Sequence, residues 1–201
     1  MPARLLIPRQ NYLASGIHIG MKQRTEDMRD FIYRIRSDGL AVLNLRKIDE
    51  RIRIAARFLA RANVILVAGK KSAAPEAIKK FAEVIGAKSF LDRFTPGMLT
   101  NPAVKRYTEA DVMFLNDPLV DYQALKEAVK ARIPVVAVCN SFNETKDIDL
   151  IIPANNKGRK ALATLYWLLA REIFKERGQI KSDKEFQYKI EDFEGEEPVE
   201  V

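Results

Sequence analysis

The segment RFTPGMLTNP, residues 93–102, carries the most suggestive chemistry in this chain. Arg93 is a permanent cation, Phe94 an aromatic face, and Thr95, Thr100 and Asn101 supply hydrogen-bonding groups. Pro96 and Pro102 restrict the backbone while Gly97 frees it at one point, which favours a single defined shape. Such a loop suits recognition, because a preorganised polar surface loses little entropy when it binds. Three other clusters share this chemistry: Gly69-Lys70-Lys71-Ser72, Asn140-Ser141-Phe142-Asn143, and the run from Asn155 and Asn156 through Lys157, Gly158, Arg159 and Lys160.

Bond-making chemistry finds much less support. AGKKS echoes a phosphate-binding loop but fails twice, with Val64 where a glycine is required and Lys71 where a hydroxyl is required. There is no dinucleotide fingerprint and no nucleophile elbow. His18 is the only histidine and Cys139 the only cysteine, so neither a metal site nor a disulfide framework is expected. We read His18 as a buried, hydrogen-bonded structural residue and Cys139, inside PVVAVC, as a small buried hydrophobe. Asp121 reads as a helix N-cap, Asp49 as a helix start, and Trp167 as core. No catalytic residue, cofactor or small-molecule substrate is expected.

The polar clusters follow short apolar runs: NVILVA (63–68), AKSFLD (87–92), PVVAVC (134–139) and LIIP (150–153). LAVLNL (40–45) and VMFLND (112–117) are similar runs, and helical periodicity covers about 49–62, 75–85, 122–131 and 157–175. Runs that are apolar at every position require cover on both faces, so we expect an α/β three-layer sandwich with a mainly parallel sheet of about five strands. In such sheets ligand groups collect beyond the C-terminal strand ends, where these clusters fall. We divide the chain into a basic N-terminal annex (1–38), an α/β body (39–177) and an acidic C-terminal tail (178–201). Arg24, Arg34 and Arg36 are expected to be exposed on the annex. Phe186, Tyr188 and Ile190 alternate with polar residues in the tail, a strand-like strip suited to binding a partner protein.

Charge is distributed in the same way. Of the 34 basic and 27 acidic residues, residues 178–201 hold three lysines and eight acids, leaving the rest of the chain at +12. A basic body is the electrostatic footprint of a polyanion binder, and equally that of a highly charged solvated surface. No run reaches the length of a membrane span and the N-terminus lacks a signal-peptide core, so a cytoplasmic protein is expected.

Four segments taken together, YLASGIHIG (12–20), the 93–102 loop, IPVVAVCN (133–140) and DLIIPANNKGRKAL (149–162), resemble the small-subunit ribosomal protein S2 family, laminin-receptor-like in eukaryotes. The family's RWLGGMLTN loop corresponds to residues 93–101 and its IP-A/G-N segment to Ile152 through Asn155. The resemblance implies a flavodoxin-like body bound to small-subunit ribosomal RNA and neighbouring ribosomal proteins near the junction of head and body. Bacterial members carry a second histidine where this chain has Met21, and insert a coiled coil after the LTN motif that is missing here. Eukaryotic members have a much longer C-terminal extension, so the chain resembles the archaeal form. On this basis Lys70, Lys71, Arg93, Lys157, Arg159 and Lys160 are expected phosphate contacts. Thr100, Asn101, Asn155 and Asn156 are expected at sugars or base edges, with one of the last two capping the following helix. The alternatives are a nucleotide-binding α/β enzyme with Asp117 and Asn140 as polar site groups, and a free-standing interaction protein.

Overall fold

The short runs that are apolar at every position, bounded by turn residues, form the strands of a covered parallel sheet. The computed structural model describes residues 5–70 and 72–195. A short helix α1 (Arg9–Ser15) precedes an antiparallel hairpin, β1 (Ile32–Ile35) with β2 (Ala41–Leu43). After α2 (Leu45–Ala60) come β3 (Ile65–Ala68), α3 (Pro75–Ile85), β4 (Lys88–Phe90), β5 (Val112–Leu115), α4 (Tyr122–Lys130), β6 (Val135–Cys139), β7 (Leu150–Pro153) and α5 (Arg159–Glu176). β3 to β7 make a five-stranded, all-parallel sheet in the order β4-β3-β5-β6-β7. This is the flavodoxin-like order, with its switch point between β3 and β5.

Side-chain alternation divides the core in two. Ile65, Val67, Val112, Phe114, Val136, Val138 and Ile152 face the layer of α2, α3 and α5. There Phe81, Phe114 and Tyr166 pack with ring centroids 5.0–5.9 Å apart. Leu66, Ala68, Met113, Leu115, Val135, Ala137 and Cys139 face the other side, which has one full helix, α4. The rest of that layer is chain without regular helix: Met28 and Phe31 from the N-terminal segment, and Phe94, Met98 and Leu99 from the 93–102 loop. The crossover from β4 to β5 is thus made by this loop, whose apolar residues do the covering that a helix does elsewhere. Phe94, read as an available aromatic face, is buried and meets Phe90 edge-on at 6.0 Å.

Several expectations change. LAVLNL does not join the main sheet, because β2 pairs with β1 on one edge and bridges Ile19 on the other, and the hairpin straddles the expected boundary at residue 38. Its Arg34 and Arg36, with Arg24, are exposed. α2 begins a turn before Asp49, since Asn44 caps it by accepting the Arg46 N–H at 3.0 Å. The tail strip forms no strand among the described residues. Phe186 is 8% exposed and packs edge-on against Trp167, Phe174 and Tyr188, while Tyr188 and Ile190 lie half-buried on the same body. The Trp167 indole N–H donates to the Tyr188 carbonyl at 2.8 Å, and Phe193 of α6 (Glu191–Glu194) is fully buried beside α3 and α5. Trp167 is therefore half-buried beneath the tail. The physical reason is area: three aromatic rings and an isoleucine gain more from covering α5 than from exposure to water. No helix among the described residues is long and apolar enough to cross a membrane.

Candidate nucleic-acid interface

A buried carboxylate locks the 93–102 loop. Glu127, on the inner face of α4, accepts the Gly97 N–H at 2.8 Å on one oxygen and the Leu99 N–H at 3.2 Å on the other. Gln123, one turn earlier, donates to the same carboxylate at 2.8 Å. Gly97 has φ +93°, a conformation costly for any side chain, which explains the glycine. With its apolar residues held down, the loop turns Arg93, Thr95, Thr100 and Asn101 outward. The Asn101 side chain accepts the Ala103 N–H at 3.0 Å, so its oxygen shapes the turn and its amide nitrogen is left to a ligand.

The strand ends of β5, β6 and β7 are joined by buried amides and carboxylates. Asn143 accepts the Asn140 N–H at 2.8 Å and an Asn156 amide hydrogen at 3.2 Å, and donates to Asp117 at 2.9 Å. Asn156 accepts from the Asn140 amide at 3.4 Å and is 2% exposed. The second Asp117 oxygen meets the Lys157 ammonium at 2.6 Å, and that ammonium lies 5.3 Å from the centroid of the Phe142 ring. At the switch point, where enzymes of this fold bind ligands, Tyr166 donates to Asn116 at 2.9 Å and Asn116 to Ser72 at 3.3 Å. Asp117 and Asn140, the polar groups of the enzyme alternative, are consumed by contacts within the chain. Among the described residues no cluster of three His, Cys, Asp or Glu side chains stands ready for a metal ion.

The expected contact residues separate into three sets. Lys160, Arg93, Thr100 and Asn101 are exposed, and Lys70 is half-exposed at the end of β3. Lys157 is exposed but paired with Asp117. Asn155, Asn156 and Arg159 face inward to other parts of the chain. The Asn155 side chain donates to the Gly16 carbonyl at 3.2 Å and accepts the Lys157 N–H at 3.0 Å, while Arg159 donates to the Glu194 carbonyl at 2.7 Å and to the Gly195 carbonyl. Neither asparagine caps α5, whose N-cap is Gly158 without a side-chain bond. Lys71 lies outside the described residues. His18 is half-buried and its buried Nδ1 has no hydrogen-bond partner among the described residues; burial holds the imidazole below its usual pKa, against a bond to the Tyr12 backbone that raises it. Cys139 is fully buried, which pushes its thiol up. In the sequence Glu127 is one more charge on an amphipathic helix, and only its place three residues after Ala124, on the inward face, marks it.

Asp121 gives a pH signature. It sits at the N-cap of α4 but makes no capping bond, and instead accepts the Lys70 N–H at 2.8 Å and the Asp117 N–H at 3.2 Å. Burial outweighs these two donors and pushes its carboxyl up to about 6 from the ordinary 3.8. The folded state thus binds this proton more tightly than the unfolded chain. The stabilisation is complete below pH 3.8 and is lost as pH rises through 6. Between pH 7 and 4 the difference is worth about 2 kcal/mol. Urea unfolding of the wild type and Asp121→Asn across that range should show the wild type gaining on the variant as pH falls; a constant difference would contradict the assignment.

Fold and site together define a class: a doubly wound α/β domain whose switch-point crevice is filled from within and whose strand-end edge presents a rigid, cationic surface. The family model for ribosomal protein S2 matches residues 12–110 and 103–176, and the chain belongs to that family. It is 50% identical over 196 residues to the small ribosomal subunit protein uS2 of Picrophilus torridus, covering 96% of this chain and 98% of that one. The uS2 of Thermoplasma acidophilum is 48% identical with the same coverage. The uS2 of Staphylothermus marinus is 50% identical over 192 residues, 94% of this chain and 87% of its own. These relatives are archaeal, as the resemblance implied.

Proposed function

We propose that this chain is a structural constituent of the small ribosomal subunit in the cytoplasm, docked on folded ribosomal RNA and neighbouring ribosomal proteins near the head-body junction. Its role is positional and involves no turnover. The observation that carries the reading is the locked loop: Glu127 fixes Gly97 and Leu99 from inside while Arg93, Thr100 and Asn101 face outward. A surface with this preorganisation suits phosphates, 2′-hydroxyls and splayed bases, which demand geometry as well as charge.

Lys70 and Lys160 are the members of the original cationic set, besides Arg93, that are best placed to give up counterions, because Lys157 and Arg159 are engaged within the chain. Lys70→Ala with Lys160→Ala should weaken binding to small-subunit ribosomal RNA and flatten the slope of log affinity against log salt by about 1–2. Filter binding across a salt series measures it. An unchanged slope removes these lysines from the interface, and a native protein sedimenting wholly apart from small subunits would end the proposal.

A further inference from the structure

At the end of β4, the chain leading into Arg93 and the connector that follows the 93–102 loop flank an open cleft of about 430 Å³. Its walls are Ser89 through Arg93 on one side and Lys105 through Thr108 on the other. Arg93, Lys105 and Arg106 are exposed, and among the described residues none makes an ion pair. Asp92 is the one acid on the wall, so the cleft is net cationic. Of the other described strand-end cations, Lys157 and Arg159 are held by the chain itself while Lys70 and Lys160 are not, and Arg93, Lys105 and Arg106 share one cleft.

The cleft is a built feature. Thr108 donates its N–H to the carbonyl of buried Met98 at 2.9 Å, Val104 to Asn101 at 3.1 Å and Tyr107 to Val104 at 2.9 Å. The cationic wall is thereby tied to the loop that Glu127 anchors. On the other side Gly69 donates its N–H to the Phe90 carbonyl at 3.0 Å, which sets the Lys70 turn next to the floor of the cleft. Half-buried Tyr107 offers a ring in the wall, its hydroxyl held by Glu109 at 3.2 Å.

We infer that this cleft is an RNA-binding subsite in which Arg93, Lys105 and Arg106 hold a turn of the phosphodiester backbone and Tyr107 stacks against a nucleotide of that turn. The inference rests on the RNA-docking role proposed above and adds Lys105, Arg106 and Tyr107 to it. Three cations around one concave site suit successive phosphates, and an aromatic wall suits a base with no demand on its identity. An acidic protein segment matches the charges but has no use for the ring.

The test uses the full chain and small-subunit ribosomal RNA transcribed from the organism that supplies it. Lys105→Ala with Arg106→Ala should lower affinity about tenfold or more near 0.1 M salt and reduce the salt slope by about 1–2. Lys105→Arg with Arg106→Lys should keep both. Tyr107→Ala should lower affinity about tenfold with the slope intact, while Tyr107→Phe should not. Thermal melts of all variants confirm that they fold. If the double alanine variant binds as the wild type does while Lys70→Ala with Lys160→Ala does not, the RNA role stands and the cleft is excluded from it. If that variant keeps RNA but loses capture of small-subunit ribosomal proteins, the cleft is a protein site and the inference is overturned. If the wild type fails to bind the transcript with any salt dependence, the underlying RNA reading falls first.

Discussion

Glu127→Ala should lower the unfolding free energy by about 3 kcal/mol and release the 93–102 loop in the same step. The carboxylate is buried and answers two backbone N–H groups, Gly97 and Leu99, together with the Gln123 amide. Alanine leaves those N–H groups facing a void, and each unsatisfied buried donor costs about 1–3 kcal/mol. Part of that cost is relieved if the loop lifts away, but lifting exposes Met98, Leu99 and Phe94, which cover the β5 and β6 face. Glu127→Gln should fall between, since its single carbonyl accepts one N–H and its amide opposes the other. Urea unfolding gives the energy, and hydrogen exchange at Gly97 and Leu99 reports the release. Slow exchange at both amides in the alanine variant would show that the loop is locked by its apolar anchors alone. Affinity for ribosomal RNA should drop with loop order, since Arg93, Thr100 and Asn101 lose their preorganised geometry.

The parallel body was legible because its signals are local. Val135–Cys139 and Ile65–Ala68 are apolar at every position, and α3 runs from Pro75 to the left-handed Gly86, bounds that Pro and Gly announce. The misread parts depend on what lies across the fold. LAVLNL has the composition of a sheet strand, yet its partner is Ile32–Ile35, which carries too weak an apolar pattern to be recognised. The tail strip alternates like a strand, but alternation cannot tell a partner's surface from the chain's own α5. For the candidate site, residue types single out one edge and its loops, but not which side chains point outward. Asn155, Asn156 and Arg159 have the chemistry of RNA contacts and make their bonds within the chain, because three loops and the tail converge there. Lys105 and Arg106 sit in a short connector without a motif, and only the fold sets them opposite Arg93.

Asp49→Ala is expected to cost about 3–5 kcal/mol, the range for removing one partner of a buried charged network. Asp49, expected at the start of α2, lies inside it, buried, where it accepts the Leu6 N–H and the Tyr12 hydroxyl, each at 2.7 Å, and the Arg53 guanidinium at 2.9 Å. One carboxylate thus fastens the N-terminal segment to the body. Tyr12 is fully buried, and burial first, then its bond to Asp49, push its hydroxyl above the usual tyrosine range. The effect should reach the interface, since the turn after α1 supplies the Ile17 carbonyl that accepts the Asn155 N–H at 2.9 Å and the Gly16 carbonyl that accepts its side chain. Tyr12→Phe alone should cost about 1 kcal/mol, because the carboxylate retains its other donors. Adding Tyr12→Phe to Asp49→Ala should cost almost nothing more, since it removes the hydroxyl that the first change orphans, leaving a coupling energy of about 1 kcal/mol. Denaturant unfolding of the four proteins closes the cycle, and strictly additive costs would show that the Tyr12 hydroxyl and Asp49 act independently.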